Sequence, residues 1–140
     1  MSINGAPYLG FRGQAREAMN FYQEVFGGEL DLLDWMDPDA PATESGEKLV
    51  MHGHLSTAAG WALMGADNIE MATEDSGAQR MNVVVYGDDV DTMVEQFEKL
   101  SEGASVHMPL EKQMWGDMFG GLKDKFGIDW GFNVELPKEN

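Results

Sequence analysis

The stretch AREAMNFYQEVFGG, residues 15–28, decides the fold. Ala15, Ala18, Met19, Tyr22, Val25 and Phe26 recur at helical spacing with polar residues between them, so this helix buries one face. Gly27 and Gly28 end it, because glycine accepts the left-handed conformation of a helix C-terminus. A short strand, Pro7 to Phe11, precedes the helix. Strands at about 30–36, 48–56 and 61–67 follow it. A polar loop, Asp37 to Glu47, separates the first two of these. Asn68 to Arg80 reads as a linker, rich in acidic and small residues.

The same plan then returns at an offset of 75 residues, Pro7 to Asn82. Residues 82–86 form a strand. Val90, Met93, Val94, Phe97 and Leu100 make the second helical stripe, with Gly103 after its end. Ala18 matches Met93, Tyr22 matches Phe97 and Val25 matches Leu100, which points to a duplicated unit. Asp88, Asp89 and Asp91 stand at the helix start, where carboxylates suit free N–H groups and the helix dipole. Strands at about 104–110, 117–123 and 129–136 complete the second unit.

Composition limits the partners. The 140 residues carry 25 acidic against 9 basic side chains, a net charge of -16. Such a field repels a duplex or an anionic membrane, so neither nucleic acid nor membrane is expected as a partner. It attracts cations, although net charge serves solubility before it serves any one site. The absence of cysteine removes disulfides, thiolate catalysis and Cys-ligated zinc. The start of the chain lacks a signal-peptide pattern, and no apolar run reaches the roughly 18–20 residues that span a bilayer. A cytoplasmic protein is the expectation. Most of the eleven methionines read as core filling.

Alternation along the strands assigns the faces. Val83 and Val85 suit packing on a helix, leaving Asn82, Val84 and Tyr86 opposite. Trp130, Phe132, Val134 and Leu136 form an apolar face, with Asp129, Gly131, Asn133 and Glu135 on the other. Leu49, Met51 and Leu55 are expected on one side of their strand, and Val50, His52 and His54 on the other. A polar and aromatic second face reads as a lined cleft.

Three stretches carry a family resemblance: residues 15–30, MHGHL at 51–55, and MPLEKQMWGDMFGGLKDKFGIDW at 108–130. They resemble the vicinal oxygen chelate superfamily of glyoxalases, bleomycin-resistance proteins and dioxygenases. The match is to its PhnB-like branch, often labelled 3-demethylubiquinone methyltransferase-like. The resemblance covers about residues 7–136. It implies an α+β fold of tandem βαβββ modules, with curled mixed sheets around a cleft, in a single domain over 1–140. Module one is about 5–68, the linker about 69–80 and module two about 81–137. It also implies a homodimer. The methyltransferase label finds no support, because no strand leads into the Gly-rich turn of a nucleoside-binding site.

Metal-dependent members of the superfamily place His, Gln or Glu ligands on the first and last strands of each module. The corresponding positions here are Pro7, Met64, Asn82 and Gly131. That set is too poor in lone pairs and charge for a divalent ion. No metal and no cofactor is therefore expected. The candidate cleft residues are His52, His54, Asn82, Tyr86, Trp115, Asp117, Phe119 and Asn133. His52 and His54 put two imidazoles on one strand face, suited to hydrogen bonding, acid–base work or, with a third donor, a metal. Trp115, Asp117 and Phe119 offer an aromatic wall and a carboxylate, or serve only a hairpin. Tyr86 and Asn133 offer hydrogen bonds. His107 reads as a surface or structural residue, and Asp124 and Trp130 as structural.

The expected function is metal-independent binding or turnover of a small molecule. The alternatives are a drug-sequestering binder of a cationic ligand, a metalloenzyme with a relocated His52/His54 site, and an interaction module without a ligand.

Overall fold

The computed structural model describes residues 4–35, 48–67 and 82–137. The chain divides into two compact units, Met1–Ser76 and Gly77–Asn140. The first contains β1 (Tyr8–Phe11), α1 (Ala15–Phe26), β2 (Glu29–Asp34), β3 (Val50–Ser56) and β4 (Ala62–Asp67). The second contains β5 (Val83–Gly87), α2 (Val90–Leu100), β6 (Ser105–Lys112), β7 (Met118–Lys123) and β8 (Asp129–Val134). The expected loop at 37–47 and linker at 69–80 lie outside the described residues.

Each unit is βαβββ, so the α+β repeat is real. The sheet orders are β1-β4-β3-β2 and β5-β8-β7-β6. In both, the first and last strands pair in parallel and the other neighbours pair antiparallel. Each sheet is therefore mixed.

The two helices begin differently. The Asp89 side chain accepts from Thr92 N at 3.4 Å and caps α2 locally. Gln14 makes no side-chain cap for α1. Asp67, at the end of β4, does this work instead: its Oδ1 accepts from Ala15 N at 2.9 Å and its Oδ2 from Val50 N at 2.9 Å. One buried carboxylate thus ties α1, β3 and β4 together. At the other end of α1, Gly27 N donates to Gln23 O at 2.8 Å, and Gly28 turns the chain into β2 at φ +97°. A Cβ at Gly28 would stand 1.9 Å from Ser56 O, so only glycine fits.

The first unit buries Met19, Tyr22, Phe26, Val50, Leu55 and Leu63 between α1 and its sheet. The second buries Phe97, Leu100, Leu122, Trp130, Phe132 and Val134. Phe97 and Phe132 meet edge-on at 5.4 Å between centroids. Each such large side chain contributes about 1.5–3 kcal/mol relative to exposure. Asp124 accepts from Phe126 N at 2.9 Å, Ile128 N at 3.0 Å and Trp130 Nε1 at 2.8 Å. Asp124 and Trp130 are structural, as their sequence context suggests.

Three expectations about strand faces need correction. First, β3 carries a bulge opposite Leu33 and Asp34: Leu33 pairs with His52 but Asp34 with Val50, leaving Met51 as the extra residue. The bulge reverses the alternation, so Val50 is buried with Leu55 while Met51 is exposed. His52 and His54 lie beyond it and keep their expected face. Second, the first strand of each module is one residue out of phase with the other. Leu9 and Phe11 are buried while Tyr8 is 56% exposed; in β5, Val84 and Tyr86 are the exposed pair. Pro7 falls in phase with Leu9 and Phe11, so Tyr8 takes the place expected for Pro7. Third, Leu136 lies past the end of β8 and does not continue its buried face.

Among the described residues, no helix is long and apolar enough to cross a membrane.

Candidate functional site

Each sheet packs its helix on one side and turns a row of polar and aromatic residues to the other. On the second unit that open face can be read from register. Tyr86 pairs with Asn133, and Asn133 with Phe119. Val84 pairs with Gly131, and Gly131 with Gly121. A Cβ at Gly131 would meet Phe119 Cζ, Val84 Cγ2 and Asn82 Nδ2 at 3.6, 3.6 and 3.7 Å. Asn82, Val84, Tyr86, Phe119 and Asn133 thus share one surface, with the two glycines lowering its middle.

The β6–β7 hairpin tip closes one end of this surface. Gln113 N donates to Asp117 O at 2.7 Å and Gly116 N to Gln113 O at 3.0 Å, while Gly116 adopts φ +102°. That turn sets Trp115 edge-on to Phe119, with centroids 6.4 Å apart. It also brings Asp117 to Asn133, whose Nδ2 donates to Asp117 Oδ2 at 3.3 Å. Six of the eight expected residues are therefore together: Asn82, Tyr86, Trp115, Asp117, Phe119 and Asn133.

Beside them opens a cavity of about 520 Å³ lined by Asp88, Asp117, Glu135, Leu136 and Pro137. Asp88 and Glu135 were not among the expected site residues. Glu135 follows Gly131 and Asn133 in alternation, and that was its signal. Asp88 reads from sequence as a helix cap, but Asp89 performs that role and leaves the Asp88 side chain to the cavity.

His52 and His54 belong to the first unit, on the open face of β3. Their cross-strand partners are Leu33 and Asp31 in β2. Met64 of β4 pairs with both His54 and Tyr8. Tyr8 Oη lies 3.0 Å from His52 Nδ1, with ring centroids 5.6 Å apart. Tyr8 was missed because the strand phase was taken one residue out. His107 is exposed in β6, within the register shift between Val106 and Met108.

The open faces bear on the superfamily's metal. Along the first and last strands they present Tyr8 and Met64 in one unit, and Asn82, Val84 and Gly131 in the other. A phenol, a thioether and an amide are a weak donor set for a divalent ion, with no carboxylate or imidazole among them. These residues do not fit the family's ion. Among the described residues, no group of three or more His, Cys, Asp or Glu side chains could hold a metal.

Comparison with known proteins places these faces in context. Residues 8–132 match the model of the Glyoxalase/Bleomycin resistance protein/Dioxygenase superfamily. The solved structure of protein PA1353 from Pseudomonas aeruginosa is 34% identical, with a TM-score of 0.80 over 97% of this chain and 100% of that one. The PhnB protein of Bacillus cereus, described as a putative 3-demethylubiquinone-9 3-methyltransferase, is 25% identical, with a TM-score of 0.76 over 96% and 100%. Protein YjdN of Escherichia coli K12 is 25% identical over 92% of this chain and 93% of its own.

Proposed function

The chain belongs to the Glyoxalase/Bleomycin resistance protein/Dioxygenase superfamily, and we propose that it handles a small molecule without that superfamily's divalent ion. One observation carries this reading. The open faces keep side chains suited to an organic ligand, including Tyr86, Asn133, Phe119 and Trp115, while the positions that grip the ion in metal-dependent relatives hold Tyr8, Met64, Asn82 and Gly131. Flat aromatic surfaces with a few polar groups are the usual makeup of small-molecule sites. Methyl transfer gains no support: β5 passes to α2 through Asp88 and Asp89, without the Gly-rich strand-to-helix turn that seats a nucleoside-type donor.

The test combines metal analysis with thermal shift. The purified protein is expected to hold no stoichiometric zinc, nickel, manganese or iron. A small molecule at a hundred times its Kd is expected to stabilise it by about 2.7 kcal/mol. Stoichiometric metal that is lost on changing Asn82 or Met64 would overturn the reading. So would a library screen in which no small molecule raises the melting temperature.

A second reading has its own support. Asp88, Asp117 and Glu135 line one 520 Å³ cavity beside Trp115 and Phe119, a setting suited to a cationic drug-like ligand. Under it, Asp117→Asn and Glu135→Gln each weaken a cationic ligand several-fold while leaving neutral ligands unchanged. Equal effects on both ligand types would dismiss the cationic preference.

A further inference from the structure

The first unit's open face holds a contact that the proposed function does not yet use. Tyr8 Oη and His52 Nδ1 are 3.0 Å apart, and both residues are accessible from the side of the sheet away from α1. A phenol O–H is a stronger acid than an imidazole N–H, and an imidazole nitrogen a stronger base than a phenol oxygen. The favoured arrangement therefore has Tyr8 donating and Nδ1 accepting. A neutral imidazole carries a single ring proton, which then resides on Nε2.

We propose that Tyr8 is a positioning residue that holds His52 with its Nε2–H as a hydrogen-bond donor, making this face a binding site for a neutral, flat small molecule bearing a carbonyl oxygen. The surroundings select that class. Leu33 pairs with His52 and is 47% exposed, so it gives a flat ligand an apolar surface. Asp31, the cross-strand partner of His54, places a carboxylate on the same face. Together with a net charge of -16, it opposes an anionic ligand and leaves the neutral acceptor favoured. Glu29, two residues before Asp31 on the same face, adds a second carboxylate, and Met64 of β4 adds no charge. The same tautomer has no Nε2 lone pair for a metal, which speaks against a relocated ion at His52 and His54.

This inference deepens the proposed function, and rests on it only in requiring that a small molecule reach the face. The test is nitrogen NMR of the full chain labelled with ¹⁵N-histidine, above the imidazole titration range. The His52 signals are identified by their loss in His52→Gln. The expected spectrum has a protonated Nε2 and an unprotonated Nδ1 displaced by an accepted hydrogen bond. In Tyr8→Phe the Nδ1 signal returns toward that of a free imidazole, while far-UV circular dichroism stays that of the parent protein. Titrated benzamide shifts the His52 Nε2–H signal and leaves His107 unmoved; Tyr8→Phe weakens that response several-fold. A proton on Nδ1, an Nδ1 signal indifferent to Tyr8→Phe, or a His52 signal indifferent to benzamide overturns the inference. The tautomer readout needs no ligand. Its failure therefore leaves the proposed function standing, whereas a failed ligand screen sinks that reading and leaves the tautomer result intact.

Discussion

Two buried carboxylates hold more of this protein together than their charge suggests. Asp124 receives three donors, from Phe126 N, Ile128 N and Trp130 Nε1. Asp67 receives two, from Ala15 N and Val50 N. Removing a buried acceptor leaves its donors without partners, at about 1–3 kcal/mol per orphaned group. Asp124→Ala is therefore expected to lose about 3 kcal/mol or more of unfolding free energy in urea titration, against about 2 kcal/mol or more for Asp67→Ala. The corresponding Asn variants keep one acceptor oxygen and should fall between parent and Ala. If Asp124→Ala and Asp67→Ala unfold at the parent midpoint, the carboxylates are not the fastening described. Asp124 was legible as structural because it sits among turn glycines just before Trp130. Asp67 was not, because its two partners lie 52 and 17 residues away along the chain.

Among the elements, the helices follow their pattern and the strands test it. A stripe over eleven or twelve residues averages out single exceptions: α1 buries all six residues its periodicity selects, and α2 buries Met93, Phe97 and Leu100 with Val90 and Val94 half-buried. A strand has no such reserve. One bulged residue, Met51, reverses the expected faces at the start of β3, and a one-residue phase difference between β1 and β5 exchanges Pro7 for Tyr8. The β6–β7 pair shows the same sensitivity. Register shifts on either side of Met108 bring the Leu110 backbone against Gly120, where an added Cβ would lie 2.8 Å from Leu110 Cα. Gly120→Ala is expected to cost about 1–3 kcal/mol by overpacking, read as a lower urea midpoint at unchanged slope. Gly121→Ala is a control within the same strand, since its nearest contact would be an ordinary 3.6 Å. Equal losses at the two positions would show that strand propensity, rather than the approach of Leu110, is being measured.

At the scale of the molecule, charge is the dominant long-range term. A net charge of -16 on 140 residues destabilises the compact state by self-repulsion. Raising ionic strength shortens the screening length from about 30 Å at 0.01 M to about 10 Å at 0.1 M. The melting temperature is expected to rise over that range with a salt that does not bind specifically. A falling melting temperature would mean that attractive ion pairs, such as Arg16 with Asp34, outweigh the repulsion.

The sequence by itself determined the βαβββ repeat, the position of both helices and the face on which Asn82, Tyr86 and Asn133 lie. These depend on local periodicity and on turns marked by glycine, which each segment carries within itself. Only the tertiary structure decided that Tyr8 meets His52, that Asp67 caps a helix from a distant strand, and that Asp88 and Glu135 share a cavity with Asp117. Those contacts are set by pairing register and bulges, where a shift of one residue turns a side chain to the opposite face without altering the local pattern.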